Sequence, residues 1–244
     1  MKKHVVITGV LGGIGSGLAK AFSEEGYFVI GLDVKEASSP FCDAFLQFDL
    51  HKFCTDASYR TKMESELKSR VPQLNVLINN AAVQLLGSVD EIELEDWNQT
   101  MNVNVTGPLM LSKLLLPQLK ASKGCIINIA SIHQQLTKKR FVAYATSKSA
   151  LVGLTKAMSV DLQGTVRVNT ISPAAIDTPM LHEGFNNDAD KVQKLHELHP
   201  LQRIGKPAEV AKLALLLAED NLGFINGANL QIDGGISNVL KDLE

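Results

Sequence analysis

The sequence predicts an α/β fold: a mainly parallel, doubly wound sheet of seven strands with helices on both faces, in one domain spanning residues 1–244. Three observations predict it. Short β-branched apolar runs alternate with longer segments of helical pattern, the rhythm of βαβ units. Most of the runs are apolar almost without interruption, as expected of strands covered on both faces. A glycine-rich turn, Thr8-Gly9-Val10-Leu11-Gly12-Gly13-Ile14-Gly15, separates the first run from the first helical segment. The length of 244 residues and a hydrophobic content of 45% suit one domain with a sizeable core.

The first strand is His4–Thr8. Its apolar run is too brief for a signal peptide, and no small-residue cleavage site precedes the glycines. The turn leads into a helix over Gly13–Glu25. Strands Phe28–Asp33 and Ala44–Asp49 follow, then a helix over Ser58–Arg70 and strand Val76–Asn79. One long helix is predicted over Asp96–Leu119, with Trp97 as a packing residue. Strand Gly124–Ala130, helix Ala143–Leu162, strand Thr165–Ile171, helix Pro207–Ala218 and strand Asn229–Ile232 complete the alternation. Leu181–Arg203 departs from it. This stretch is polar and holds Asn186, Asn187, Asp188 and three histidines. It reads as an insertion of short helices serving as a substrate lid. His196 and His199 lack a third metal ligand and are read as a helix end, so no metal site is assigned.

Lys and Arg number 24 against 26 Asp and Glu, a net charge of −2. No basic patch or acidic run suits nucleic acid or another polyelectrolyte. No apolar run approaches the ~18 residues of a membrane span. Cys42, Cys54 and Cys125 show no CxxC spacing, which argues against a disulfide framework and fits a reducing cytoplasm. Cys125, within an apolar run, is expected in the core.

Tyr144 and Lys148 lie one helical turn apart, and Ser131 precedes them. Residues i and i+4 share a helix face, so the lysine is expected beside the phenol oxygen. An ammonium about 4 Å from a phenolate gains roughly 4 kcal/mol at an effective dielectric of ~20. That is about three pKa units, enough to bring a phenol of pKa ~10 close to neutrality. General acid–base catalysis works best there. Alone, the spacing also fits a half-buried tyrosine beside a solvated lysine.

A cofactor site supplies the context. Glycines let a backbone approach a pyrophosphate, and the following helix N-terminus attracts its charge. Gly9, Gly13, Ile14 and Gly15 stand where the Rossmann arrangement places these contacts. Asp33 ends the second strand, where an acidic residue takes hydrogen bonds from ribose hydroxyls and repels a 2′-phosphate. No basic residue sits among the glycines. NAD is therefore favoured over NADP, with Lys35 as the one contrary residue.

Together these residues resemble the short-chain dehydrogenase/reductase family in its single-domain branch, over nearly the whole chain. The family's glycine turn is matched by Thr8 to Gly15, its adenine-side aspartate by Asp49 followed by Leu50, and its Asn-Asn-Ala-Gly by Asn79-Asn80-Ala81-Ala82. Asn104 falls in the Val-Asn-x-x-Gly setting, and Ser131, Tyr144 and Lys148 complete the catalytic set. Asn169 to Ala174 match the Asn-x-Ile-x-Pro-Gly stretch. Ile176 and Thr178 match the nicotinamide contact, while Pro200 to Pro207 and Asp233-Gly234-Gly235 match the C-terminal signatures. Ala82 and Ala174 replace glycines that line the cofactor cleft, and the added methyls are expected to affect nicotinamide placement.

The resemblance implies hydride transfer between a nicotinamide and a secondary alcohol or ketone. Tyr144 would exchange the substrate proton, and Lys148 would lower its pKa and hold the ribose. Ser131 would bond the carbonyl oxygen, and Asn104 would support a water linking Lys148 to solvent. Gln84, His133 and Gln134 should border the substrate. They resemble pockets of short-chain hydroxy-acid and sugar dehydrogenases, with a satisfied polar loop as the alternative. Lys138, Lys139 and Arg140 could attract an anion or simply be solvated. The expected partners are a small alcohol or carbonyl substrate and further copies of the chain, as a homotetramer or homodimer. Met110, Leu114, Leu151 and Leu154 are candidate contacts between copies. Two other readings stand beside this one: a 3-oxoacyl thioester reductase using NADPH, against which Asp33 speaks, and a non-catalytic dinucleotide sensor, which has no need of the catalytic set.

Overall fold

The computed structural model describes residues 2–37 and 39–240. Strand β1 (His4–Thr8) leads through the glycine turn into α1 (Gly13–Glu24), followed by β2 (Phe28–Asp33) and β3 (Ala44–Gln47). Two helices, α2 (Leu50–Thr55) and α3 (Ala57–Arg70), precede β4 (Val76–Asn79). Then come α4 (Leu94–Met101), α5 (Gly107–Ser122), β5 (Cys125–Ile129), α6 (Val142–Asp161) and β6 (Arg167–Pro173). Short helices α7 (Pro179–Gly184) and α8 (Ala189–Glu197), then α9 (Pro207–Ala218) and β7 (Asn229–Ile232), complete the order.

All strand pairs are parallel, in the order β3-β2-β1-β4-β5-β6-β7. Because side chains alternate along a strand, even a continuous apolar run feeds two layers. Val5 and Ile7 of β1 pack with Leu18 and Phe22 of α1 and Val210 and Ala214 of α9. Val6, between them, joins Leu111, Leu115 and Leu119 of α5 and Leu67 of α3 on the other face. Cys125 is 1% exposed within the first layer. The strand order reverses between β1 and β4, which opens a crevice at the carboxyl ends of the central strands.

Several boundaries differ from the sequence expectation. Strand β3 stops at Gln47 because Asp49 caps the N-terminus of α2, its carboxylate accepting from Lys52 N at 3.0 Å. The β6 segment starts later and runs to Pro173, since Thr165 N turns back to Leu162 O after α6. The single helix expected over Asp96–Leu119 is two helices, α4 and α5, joined by a π-helical turn at Asn102–Thr106. Gly107 N reaches Asn102 O across this turn, an i+5 bond. Pro108 has no N–H to offer the Asn104 carbonyl, so an α-helical register fails there.

Trp97 is half-buried on α4. Residues 181–203 hold most of α7 and all of α8, and the segment is tied at its base by a bridge between Ile176 and Gly205. His196 lies in the last turn of α8, and His199 is buried, its Nδ1 2.8 Å from Leu195 O. Leu151 is 1% exposed and packs with Ala130 and Val152 inside the chain, so it is unavailable to a second copy. Met110, Leu114 and Leu154 are half-buried against the core.

Candidate active site

The glycine turn is built by close contacts. Gly9 has φ +63°, and a Cβ there would meet Ala81 Cα at 2.8 Å. A methyl on Gly15 would run into the Gly9 carbonyl. The N-terminus of α1 has no side-chain cap, so its first amides are open to an anion, and this fits a pyrophosphate. Ile14 is half-buried against the core. Asn80 braces the turn, its Nδ2 donating to Thr8 O at 2.9 Å and Gly9 O at 3.1 Å. Thr8 Oγ1 accepts from the backbone N–H of Asn80 and of Ala81, both at 2.9 Å.

Asp33 is placed beside this turn. Its Oδ2 accepts from Leu11 N at 3.0 Å and its Oδ1 from Lys35 N at 3.1 Å. The one lysine that argued for NADP thus gives its backbone to the same carboxylate. Leu50, the other adenine-side residue, is 6% exposed. Ile176 is 4% exposed in the core, and Thr178 caps α7 through Leu181 N. Thr178 lies against Gly13, where a Cβ would approach its Cγ2 to 2.5 Å. Ala82 and Ala174 avoid the left-handed φ region, so neither methyl strains the backbone.

The catalytic candidates cluster where β5 ends. Ser131 follows β5, and its Oγ accepts from His133 N at 3.2 Å. Tyr144 and Lys148 lie on α6. The lysine is 2% exposed, its Nζ donates to Ile129 O at 2.9 Å, and it stands 5.6 Å from the centre of the Tyr144 ring. Asn104 is 1% exposed; its Oδ1 accepts from Val83 N at 2.9 Å, and its Nδ2 donates to Val83 O and Ser147 Oγ, each at 3.0 Å. A chain of contacts therefore runs from the glycine turn through Asn80 and Asn104 to α6.

Electrostatics correct one expectation. The spacing suggested a phenol brought near neutrality by its lysine. Instead burial pushes Tyr144 up to about 12, with the Ser131 side chain acting the other way. Burial also pulls Lys148 down to about 8. Desolvation penalises both charged forms. The hydrogen bond made by the ammonium goes to the Ile129 carbonyl.

His133 and Gln134 form the turn after Ser131, and Gln134 O accepts from Ser149 Oγ at 2.9 Å. His133 packs on Phe141 with ring centres 4.5 Å apart and meets Tyr144 edge-on at 5.9 Å. Burial, with Lys138 second, lowers it to about 4, so the imidazole is neutral near pH 7. Its Nδ1 is buried without a partner. Gln84 is half-buried in the loop after β4. Phe141, Ser147 and the Ile129 carbonyl were not foreseen. Phe141, just before the predicted helix, carried the nearest sequence signal.

The switch-point crevice, the uncapped α1 and the braced turn define a dinucleotide-binding α/β protein. A family model described as Enoyl-(Acyl carrier protein) reductase, within the short-chain dehydrogenase group, matches residues 9–237. Meso-2,3-butanediol dehydrogenase of Serratia marcescens is 36% identical over 238 residues, covering 96% of this chain and 94% of that protein. NAD-dependent glycerol dehydrogenase of Listeria innocua serovar 6a is 33% identical over 242 residues, covering 96% and 93%. The ligand-free aldohexose dehydrogenase of Thermoplasma acidophilum superposes with a TM-score of 0.91 at 30% identity, covering 100% of this chain and 97% of that one. ElxO with NADP bound superposes with a TM-score of 0.86 at 27% identity, covering 98% and 100%. The chain belongs to the short-chain dehydrogenase/reductase family. It is an oxidoreductase that moves a hydride between a nicotinamide cofactor and a secondary alcohol or ketone.

Gly15→Ala, which sets a methyl against a backbone carbonyl, is expected to weaken NADH binding more than about tenfold, as read by fluorescence titration. Unchanged binding would contradict the turn's role.

Proposed function

We propose that the protein is an NAD-preferring dehydrogenase of small uncharged polyols, with Tyr144 as the proton-transfer residue. The observation that carries the reading is the path of hydrogen bonds from Gly9 to Asn80, along the backbone from Asn80 to Val83, and by hydrogen bonds again through Asn104 to Ser147. It couples the dinucleotide turn to the helix that bears Tyr144 and Lys148.

When bound, the nicotinamide supplies or accepts the hydride. During oxidation Tyr144 takes the alcohol proton as its own phenol proton passes on toward the deprotonated Lys148 amine, and during reduction both transfers reverse. Ser131 donates to the oxygen as charge builds on it. Lys148 holds the ribose and, as its proton leaves, provides the pair's acceptor. The Asn104 carbonyl, without an α-helical donor, receives a water that passes this proton outward. Gly9, Gly13, Ile14 and Gly15 approach the pyrophosphate, while Asp49 and Leu50 border the adenine. Asn80 holds the turn in place, and Ile176 and Thr178 meet the carboxamide.

Asp33 supports NAD, since a 2′-phosphate would face a carboxylate already fixed by two backbone amides. Gln84, His133 and Gln134 line the substrate end, and residues 181–203 cover it. A neutral His133 offers a hydrogen bond but no charge, and of the nearby cations Arg140 is paired with Glu91 while the Lys138 ammonium lies over the rings of Phe141 and Phe185. Both points favour a second hydroxyl on the substrate over a carboxylate, as do the names of the butanediol and glycerol relatives. Leu109 and Val160, exposed on α5 and α6, support pairing of those helices between copies, as a homotetramer or the smaller homodimer. Three free thiols suit a cytoplasmic setting.

A turnover screen with NAD should find vicinal diols and polyols oxidised faster than hydroxy acids. Tyr144→Phe should then lower kcat by about 10²- to 10⁴-fold while NADH still binds; unchanged turnover would remove the mechanism. NADH should be preferred to NADPH by at least about tenfold, and Asp33→Ser should narrow that ratio. Equal use of both by the wild type would overturn the role given to Asp33.

A further inference from the structure

Lys138 makes no ion pair among the described residues. Its ammonium stands 4.6 Å from the ring centre of Phe141 and 5.7 Å from that of Phe185. The two rings belong to different parts of the molecule. Phe141 immediately precedes α6, is 6% exposed, and meets Tyr144 edge-on at 5.9 Å. Its backbone is bridged to Gly87, in the loop that also carries Gln84. Phe185 closes α7, and its carbonyl accepts from Asp188 N in the turn that starts α8. A cation between two aromatic faces attracts both, more strongly where it is partly desolvated. Lys138 is exposed as a whole, and the partial burial it does have lowers its pKa.

We propose that Lys138 is a positioning residue that latches residues 179–199 to the catalytic side of the cleft, its ammonium held between the rings of Phe141 and Phe185. Because Phe141 and His133 pack together against Tyr144, the latch also ties closure of the segment to the wall of the substrate pocket. The proposal rests on the reading of Tyr144 as the proton-transfer residue. Its test does not need turnover.

The test is cleavage of the free full-length protein after Glu183 and Glu197 by a glutamate-specific protease. When reclosing is fast, the cutting rate tracks the open population. Lys138→Met should raise it about two- to five-fold, the equilibrium factor of one such contact. Phe185→Leu should do the same, and the double variant should add nothing further. Lys138→Arg, which keeps the cation, should cut like the wild type, and all variants should share its thermal midpoint. With a substrate in hand, Lys138→Met should raise KM with kcat within about two-fold of wild type. Unchanged cutting in Lys138→Met, additive effects in the double variant, or equal loosening by Lys138→Arg would overturn the latch. Loss of turnover in the wild type with the cleavage pattern intact would instead overturn the functional reading alone.

Discussion

The hydrogen bond from Lys148 to the Ile129 carbonyl fixes the relation between sheet and active-site helix. A lysine that is 2% exposed needs a partner for its ammonium, and the last residue of β5 provides one. That contact orients α6 against the sheet. It places Tyr144 close to Ser131, which follows the same strand. It also gives the ammonium its hydrogen-bond acceptor on the sheet. Coulomb attraction at about 4 Å would favour a phenolate, but desolvation penalises the charged form of both groups and is the larger effect on each. Burial pushes the Tyr144 phenol up and pulls the Lys148 ammonium down.

A second constraint works from the other side of the cleft. Asn104 spends its whole amide on Val83 and Ser147, and the helix around it adopts a π-helical turn. The loop after β4 and the helix that carries Tyr144 are thereby held at one distance. Since the same loop begins with Asn80 on the glycine turn, the cofactor end and the chemical end of the crevice share one frame. The segment above them is fastened differently. It has a backbone bridge at its base, and farther out the aromatic contacts of Lys138. A rigid floor with a separately anchored segment beside it is the arrangement the proposed lid would need to exclude water and still release a product.

Much of this was legible in the residues. Largely apolar runs located β1, β2 and β4 to the residue, because burial on both faces demands that composition, and the edge strand β7 was located by the alternation of Leu230 and Ile232 with polar residues. The glycine turn was legible because its backbone must pass close to a carbonyl. What was not legible depends on partners distant in sequence. The contacts of Asn104 with Val83 and Ser147 are of this kind, whereas Pro108, which denies the Asn104 carbonyl an α-helical donor, was the local sign of the π-helical turn. Helix α2 is six residues long, and its cap, Asp49, looked like the end of a strand. Leu151 looked available to a second copy, but its neighbours Ala130 and Val152 come from this chain. The Ile129 acceptor of the Lys148 ammonium was hidden for the same reason, as was the burial of the phenol that pushes its pKa up rather than down.

The most direct test is an ultraviolet difference titration of tyrosinate in the cofactor-free protein, wild type minus Tyr144→Phe. A folded-state pKa raised above 10 means that the phenol keeps its proton through the range where a free tyrosine loses it. The difference spectrum should therefore stay flat from about pH 6 to about pH 9.5. A tyrosinate band with a midpoint near pH 7, absent in Tyr144→Phe, would show that the Lys148 charge outweighs burial and would contradict the account.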